Sequence, residues 1–167
     1  MEEKIGYVAI EFEEASKQAV ADWVSQISES DLVTATINGK IEGGNVTNRL
    51  HLTLLYGLDE NALVQDELSD FIIALPKPIV RVIGIGTFPQ EVFACKTLYL
   101  EVSDDSGELQ ATHERLKNFP YFSKYQKHEY KPHITIAYVA TRFDTNSLTN
   151  DFPGSLSVKA ITHFSKT

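Results

Sequence analysis

The sequence predicts an α+β fold, and three observations carry that expectation. Stretches of strand-like alternation and of helix-like spacing succeed one another along the chain. The helices stand between strands rather than in a block of their own, which leaves parallel or mixed pairing open. One strand-like word also occurs twice, as His51-Leu52-Thr53-Leu54-Leu55-Tyr56 and as His133-Ile134-Thr135-Ile136-Ala137-Tyr138. A length of 167 residues with 43% hydrophobic content suits one domain, residues 1–167, with a core of ordinary size, or two compact lobes.

Taken in order, Ile5 to Phe12 reads as a first strand, closed by Glu13 and Glu14, whose charge suits a helix start. Ala15, Ala19, Val20, Trp23, Val24 and Ile27 then recur at helical spacing to about Ser28, which makes Trp23 a core residue. Asp31 to Ile37 suits a short strand. Asn38-Gly39-Lys40 and Glu42-Gly43-Gly44-Asn45 carry turn signals, a loop or hairpin leading to the first repeat, and their glycines would permit closure over a ligand. From Glu60 to Ala74, Leu63, Val64, Leu68, Phe71 and Ile72 form a helical stripe that Pro76 and Pro78 end. Ile79 to Phe88 and Val92 to Val102 read as strands joined by a turn at Pro89-Gln90-Glu91. Asp104-Asp105-Ser106 opens a further helix, with Leu109, Leu116 and His113 on one side; His113 is a satisfied histidine at the core edge in the first instance. Phe119 to Tyr130 is an aromatic and basic loop, and Lys131-Pro132 holds the backbone extended into the second repeat. Asn146 to Phe152 is a polar connection, Ser155 to Phe164 a final strand, and His163 a surface residue.

Composition excludes several functions. A formal charge of -8 argues against long nucleic acid, whose binding rests on basic residues set against phosphates. A small anion remains open, because Arg115, Lys117, Lys124, Lys127, His128 and Lys131 cluster ahead of the second repeat, as a solvated loop or as a guide for a phosphorylated ligand. No apolar run is long enough to cross a bilayer, and the opening Met1-Glu2-Glu3-Lys4 is not that of a signal peptide, so a cytoplasmic protein is expected. The single cysteine, Cys95, lies in strand-like sequence and reads as a buried, inert thiol.

The repeats carry the chemistry. On a strand, His51 and Thr53 share one face with Leu55, and His133 and Thr135 share one with Ala137; Tyr56 and Tyr138 alternate to the opposite face, where packing is their first role. Metal-free phosphodiester cleavage needs one group to take a proton from the attacking oxygen and another to give one to the leaving oxygen. Imidazoles, which ordinarily titrate at about pH 6.5, can fill both roles near neutrality. Threonine hydroxyls two residues away can donate to the non-bridging oxygens. Neither repeat has the carboxylate or the second histidine at i+4 of a zinc site, so no metal and no cofactor are expected. No Gly-x-x-x-x-Gly-Lys or Gly-x-Ser-x-Gly sequence occurs, and Gly84-Ile85-Gly86 alone is too weak to use.

Paired His-aliphatic-Thr-aliphatic motifs resemble the signature of the 2H phosphoesterase superfamily, with its LigT-like (2'-5' RNA ligase-like) fold. The Gly6-Tyr7-Val8-Ala9-Ile10-Glu11-Phe12 opening, Leu55-Tyr56-Gly57, Gly84-Ile85-Gly86-Thr87-Phe88, Leu98-Tyr99-Leu100 and Lys131-Pro132-His133 extend the likeness over nearly the whole chain. The resemblance implies two pseudo-symmetric, intertwined lobes around a central cleft, with His51 and His133 as the acid–base pair and Thr53 and Thr135 as phosphate binders. It also implies a phosphoric diester hydrolase acting on 2',3'-cyclic phosphates, 2'-5' oligonucleotides, RNA 3' ends or cyclic oligonucleotides. Acidity and short length favour a small nucleotide as the partner. The compact form is most similar to the phage-encoded anti-CBASS branch acting on cyclic oligonucleotide signals, which would work in the host cytoplasm, and a monomer is expected. Tyr7, Tyr130, Lys131, Tyr56 and Tyr138 are candidate substrate-binding residues, the aromatics by base stacking. A module that binds the nucleotide without cleaving it is the alternative from another class.

Overall fold

The computed structural model describes residues 5–37, 39–60, 65–89, 94–118 and 129–165. Nine strands and three helices run β1 (Ile5–Phe12), α1 (Glu14–Val24), β2 (Thr34–Ile37), β3 (Lys40–Gly43), β4 (His51–Asp59), α2 (Gln65–Ile73), β5 (Val80–Pro89), β6 (Cys95–Val102), α3 (Glu108–Lys117), β7 (His133–Ala140), β8 (Ser155–Leu156) and β9 (Val158–Ser165) among these residues. Every ladder between these strands is antiparallel, so the parallel pairing that the element order left open does not occur among them. Two sheets dominate, one ordered β4-β1-β9 and the other β7-β6-β5-β8.

The two sheets are built on one plan. In the first lobe β1 leads through α1 and a hairpin to the motif strand β4; in the second β6 leads through α3 to the motif strand β7. The third strand follows by position, β9 beside β1 and β5 beside β6. The inner faces meet in one core. Val8, Ile10, Leu52, Leu54, Leu98, Leu100, Ile134 and Ile136 are each fully buried, at about 1.5–3 kcal/mol of burial free energy per side chain.

Local chemistry sets the element ends. Helix α1 stops at Val24, short of the expected Ser28, because the Ser25 hydroxyl donates to Asp22 O at 2.6 Å and the Gln26 amide to Trp23 O at 2.8 Å. Asp31 belongs to a 3₁₀ turn at Glu29–Asp31 rather than to a strand. Asp104 accepts from Leu109 N at 2.8 Å and Gln110 N at 3.0 Å, capping α3, while Gly107 supplies the turn with φ 72°. The final strand is broken at Ser157, whose N–H donates to the Ser16 hydroxyl and whose carbonyl accepts from Glu13 N; both backbone groups are spent on the start of α1. Leu63, Val64, the turn at 90–93, Asn38 and the 119–128 part of the aromatic loop lie outside the described residues. Among the described residues, no helix is long and apolar enough to cross a membrane.

His163 is not the surface residue that its place near the chain end suggests. Its side chain is only 13% exposed, and Nε2 lies 2.6 Å from Glu60 Oε1. Gly6 makes room for this pair, since a Cβ there would meet the Glu60 carboxylate and lie 2.9 Å from the Phe164 carbonyl. Gly6→Ala should therefore cost about 1–3 kcal/mol. A urea midpoint equal to that of the unsubstituted protein would show that the strand yields freely at this point.

Candidate active site

Both motif strands carry a bulge at the same place. In the β1–β4 ladder Thr53 faces Ala9 and Leu55 faces Val8, so Leu54 is an extra residue. In the β6–β7 ladder Thr135 faces Tyr99 and Ala137 faces Leu98, so Ile136 is extra. A bulge turns the residues beyond it to the other side of the sheet. Leu54, Leu55, Ile136 and Ala137 are accordingly all buried. Tyr56 and Tyr138 come round to the side of the histidines, which corrects the opposite-face placement that simple alternation predicts. Tyr56 is 37% exposed.

The outer edge of each motif strand is completed by the other lobe. On β7, Ile136 O accepts from Val46 N at 3.0 Å and Tyr138 O from Val33 N at 2.9 Å, both from the segment that holds the β2–β3 hairpin. On β4 the corresponding carbonyls take side-chain donors. Tyr130 Oη donates to Thr53 O at 3.0 Å, and His113 Nδ1 lies 2.7 Å from Leu54 O. A carbonyl only accepts, so Nδ1 of His113 carries a proton. The Tyr130 and His113 rings stack with centroids 4.2 Å apart. Burial, with the Asp104 charge adding to it, pushes the Tyr130 phenol far above its ordinary value, so it remains a donor. His113 is the satisfied core-edge histidine expected of it.

The catalytic candidates are anchored in matching ways. His51 Nδ1 lies 2.8 Å from Arg49 O, and His133 Nδ1 lies 2.8 Å from Lys131 O. Each ring thus donates from Nδ1 to the carbonyl two residues before it, which leaves Nε2 as the atom available to a ligand. Strands β4 and β7 pack against each other. A cavity of about 970 Å³ is lined by His51 and Thr135 with Tyr7, Tyr138, Arg49 and Glu11. A second of about 970 Å³ is lined by Thr53 and His133 with Tyr56, Phe88, Tyr99 and Lys131. Each cavity thus takes its histidine from one lobe and its threonine from the other.

The remaining candidates fall around this cleft. Tyr7 stacks on Phe164 at 5.1 Å and on Tyr56 at 6.4 Å, and tilts against His51 at 5.8 Å. Tyr99 and Phe88 flank His133 in edge-on contacts instead, with centroids at 5.3 and 5.7 Å. Tyr99 fits because Gly86 lies under its ring, where a Cβ would come within 2.4 Å; Gly84-Ile85-Gly86 is a packing device here. Tyr130 lines the second cavity but spends its hydroxyl on β4. Burial raises the Tyr138 phenol, against the pull of Arg49. Cys95 is buried, and burial raises its thiol. Among the described residues, no group of three or more His, Cys, Asp or Glu is placed to hold a metal ion.

Three residues escaped the sequence reading. Glu11 pairs with His51 and Glu101 with His133 across the ladders, which only the register reveals. Glu11 Oε2 accepts from the Thr162 hydroxyl at 2.8 Å. Arg49 was visible, since it stands two residues before His51 as Lys131 stands before His133.

The chain matches the 2'-5' RNA ligase superfamily over residues 43–165, a span holding both motifs, and belongs to it. Membership supports a phosphodiesterase-type activity as the general class. No curated protein matches the chain. Among solved structures, E. coli LigT complexed with phosphate aligns at TM-score 0.56 and 14% identity, covering 100% of this chain and 89% of that one. E. coli LigT complexed with 3'-AMP aligns at 0.54 and 15%, covering 99% and 89%. A structure described as a phosphoesterase aligns at 0.55 and 14%, covering 99% and 90%. These likenesses show the bilobal LigT-like α+β fold.

Removing the Tyr130 hydroxyl tests the cross-lobe support of β4. Tyr130→Phe leaves Thr53 O without its donor and should lower stability by about 1–3 kcal/mol. The urea midpoint should fall with the slope unchanged. No change in midpoint would mean that the bond carries no weight.

Proposed function

We propose that this protein is a metal-independent phosphodiesterase that hydrolyses RNA-type phosphodiester bonds in small nucleotides, foremost cyclic oligonucleotides, by acid–base catalysis between His51 and His133. The observation that carries this reading is the matched anchoring of the two imidazoles. Each donates from Nδ1 to a backbone carbonyl at 2.8 Å, and each shares a cavity with the threonine of the opposite motif.

The chemistry follows from that tautomer. A neutral imidazole held at Nδ1 offers its lone pair at Nε2 to the proton of the attacking water. The other imidazole, protonated, delivers its Nε2 proton to the leaving oxygen as the P–O bond breaks. Both rings keep the same Nδ1 bond in either charge state, so no ring turns during the step. The Thr53 and Thr135 hydroxyls donate to the non-bridging oxygens as negative charge builds on them. After one turnover the former base is protonated and the former acid neutral, and exchange of one proton with solvent resets the pair. Which histidine begins as base is set by which side of the phosphate the leaving oxygen occupies.

The test is a panel of 2',3'-cyclic mononucleotides, 2'-5' oligoadenylate and cyclic di- and trinucleotides incubated with the protein in chelator. His51→Ala and His133→Ala should each lower kcat by about 10²- to 10⁴-fold while the nucleotide still binds. Binding with no turnover in the unsubstituted protein would identify a sequestering module instead.

The pH profile of kcat/KM should be bell-shaped, falling at low pH as the base is protonated and at high pH as the acid loses its proton. A rate rising steadily from pH 5 to about 9 would sink the two-histidine mechanism, as would loss of activity in chelator.

A further inference from the structure

Among the described residues, the cavities of the two histidines are alike in volume and opposite in the balance of their charged lining. Among the described residues, the cavity of His51 is lined by Lys17, Arg49 and Lys159 against Glu11 and Glu42. The cavity of His133 has Lys131 against Glu101 and Glu129. In a protein of net charge -8, an excess of positive charge beside one histidine is a local inversion.

The cations differ in how far they are already engaged. Lys17 lies 2.8 Å from Glu14, and an Arg49 guanidinium nitrogen lies 3.8 Å from Glu42. Lys159 is exposed, and none of the described ion pairs includes it, although after Lys17 its charge also helps to lower the Glu14 carboxyl. It is also the extra residue of a bulge, because Glu11 faces Ala160 and Phe12 faces Val158. The His133 side offers something else. Phe88 and Ile83 are 37% and 52% exposed there, and Phe88 packs against Tyr99 with centroids 5.2 Å apart. An exposed aromatic face beside a phosphate site suits a nucleobase, and a cationic wall suits a second phosphate.

We propose that the cleft reads its substrate with a fixed polarity. The nucleoside on one side of the scissile phosphate stacks in the Phe88–Tyr99 cavity. The other side carries a second phosphate, held by Lys159 with Arg49. This deepens the proposed function and rests on it. It names the substrate class as nucleotides with a phosphate beyond the scissile diester, either a phosphorylated linear dinucleotide or a cyclic oligonucleotide, and it disfavours 2',3'-cyclic mononucleotides.

The test compares adenylyl dinucleotides, 2'-5' and 3'-5' linked, bearing no terminal phosphate, a 5' phosphate or a 3' phosphate. One phosphorylated form should exceed the unphosphorylated one in kcat/KM by roughly five- to tenfold, the worth of a partly exposed charge-assisted contact. That ratio should approach one in Lys159→Gln, shrink with rising ionic strength, and persist in Lys77→Gln, an exposed lysine between α2 and β5 that lines neither cavity. Equal kcat/KM for all three forms, or a preference surviving Lys159→Gln, would overturn the proposal. The same compounds are titrated by calorimetry against His133→Ala. If nothing is cleaved yet one phosphorylated form binds tighter in a Lys159-dependent way, the polarity stands and the hydrolase reading falls. If nothing is cleaved and binding is equal or absent, both fall.

Discussion

The site depends on how two bulged strands keep their outer carbonyls satisfied. A bulge at Leu54 and another at Ile136 bring His, Thr and Tyr of each motif onto one face, but each bulge also leaves the strand's outer edge irregular. A buried carbonyl without a donor is costly, so these edges need partners. They find them across the molecule. The residues flanking the β2–β3 hairpin, which follows α1, bind the edge of β7; His113 of α3 and Tyr130 bind the edge of β4. Neither lobe completes its own motif strand, so the face that carries the candidate residues is a property of the whole chain.

This exchange explains why the two half-sites are so alike and where they must differ. Anchoring at Nδ1, a cation two residues before each histidine and a glutamate opposite it across the ladder are common to both. Under the proposed two-histidine mechanism, this matched anchoring does not by itself say which imidazole serves as the acid. Direction has to come from the surroundings, and those are not symmetric. Tyr7 tilts against His51 with Phe164 stacked on it, while Tyr99 meets His133 edge-on from the bed that Gly86 leaves. Among the described residues, the cationic wall stands on the His51 side.

Much of this was legible in the sequence, and what was not has a common cause. The bounds of β1 and the positions of His51, Thr53, His133 and Thr135 follow from period-two alternation and from the repeat itself. The face of Tyr56 and Tyr138 does not, because a bulge is fixed by the register against a partner strand more than thirty residues away. The same holds for Glu11 and Glu101, which become site residues only through what they pair with. Ser157 breaks the last strand through bonds to Ser16 and Glu13, and His163 is drawn inward by Glu60. All of these are long-range contacts, which local propensity cannot carry. Arg49 is the exception, since aligning the repeats two residues further back exposes it.

Net charge describes the partner poorly at this scale. A total of -8 spread over the surface weakens attraction to a long polyphosphate, whose contacts run far beyond a single cleft. A small nucleotide meets only charges within about one screening length, roughly 8–10 Å at physiological salt. On the His51 side the charged lining among the described residues is Lys17, Arg49 and Lys159 against Glu11 and Glu42. An acidic exterior and a cationic wall on the His51 side of the cleft are therefore compatible, and under the proposed reading they would select by size: a ligand short enough to sit inside the cleft would meet that wall, and one that extends past it would meet the negative surface.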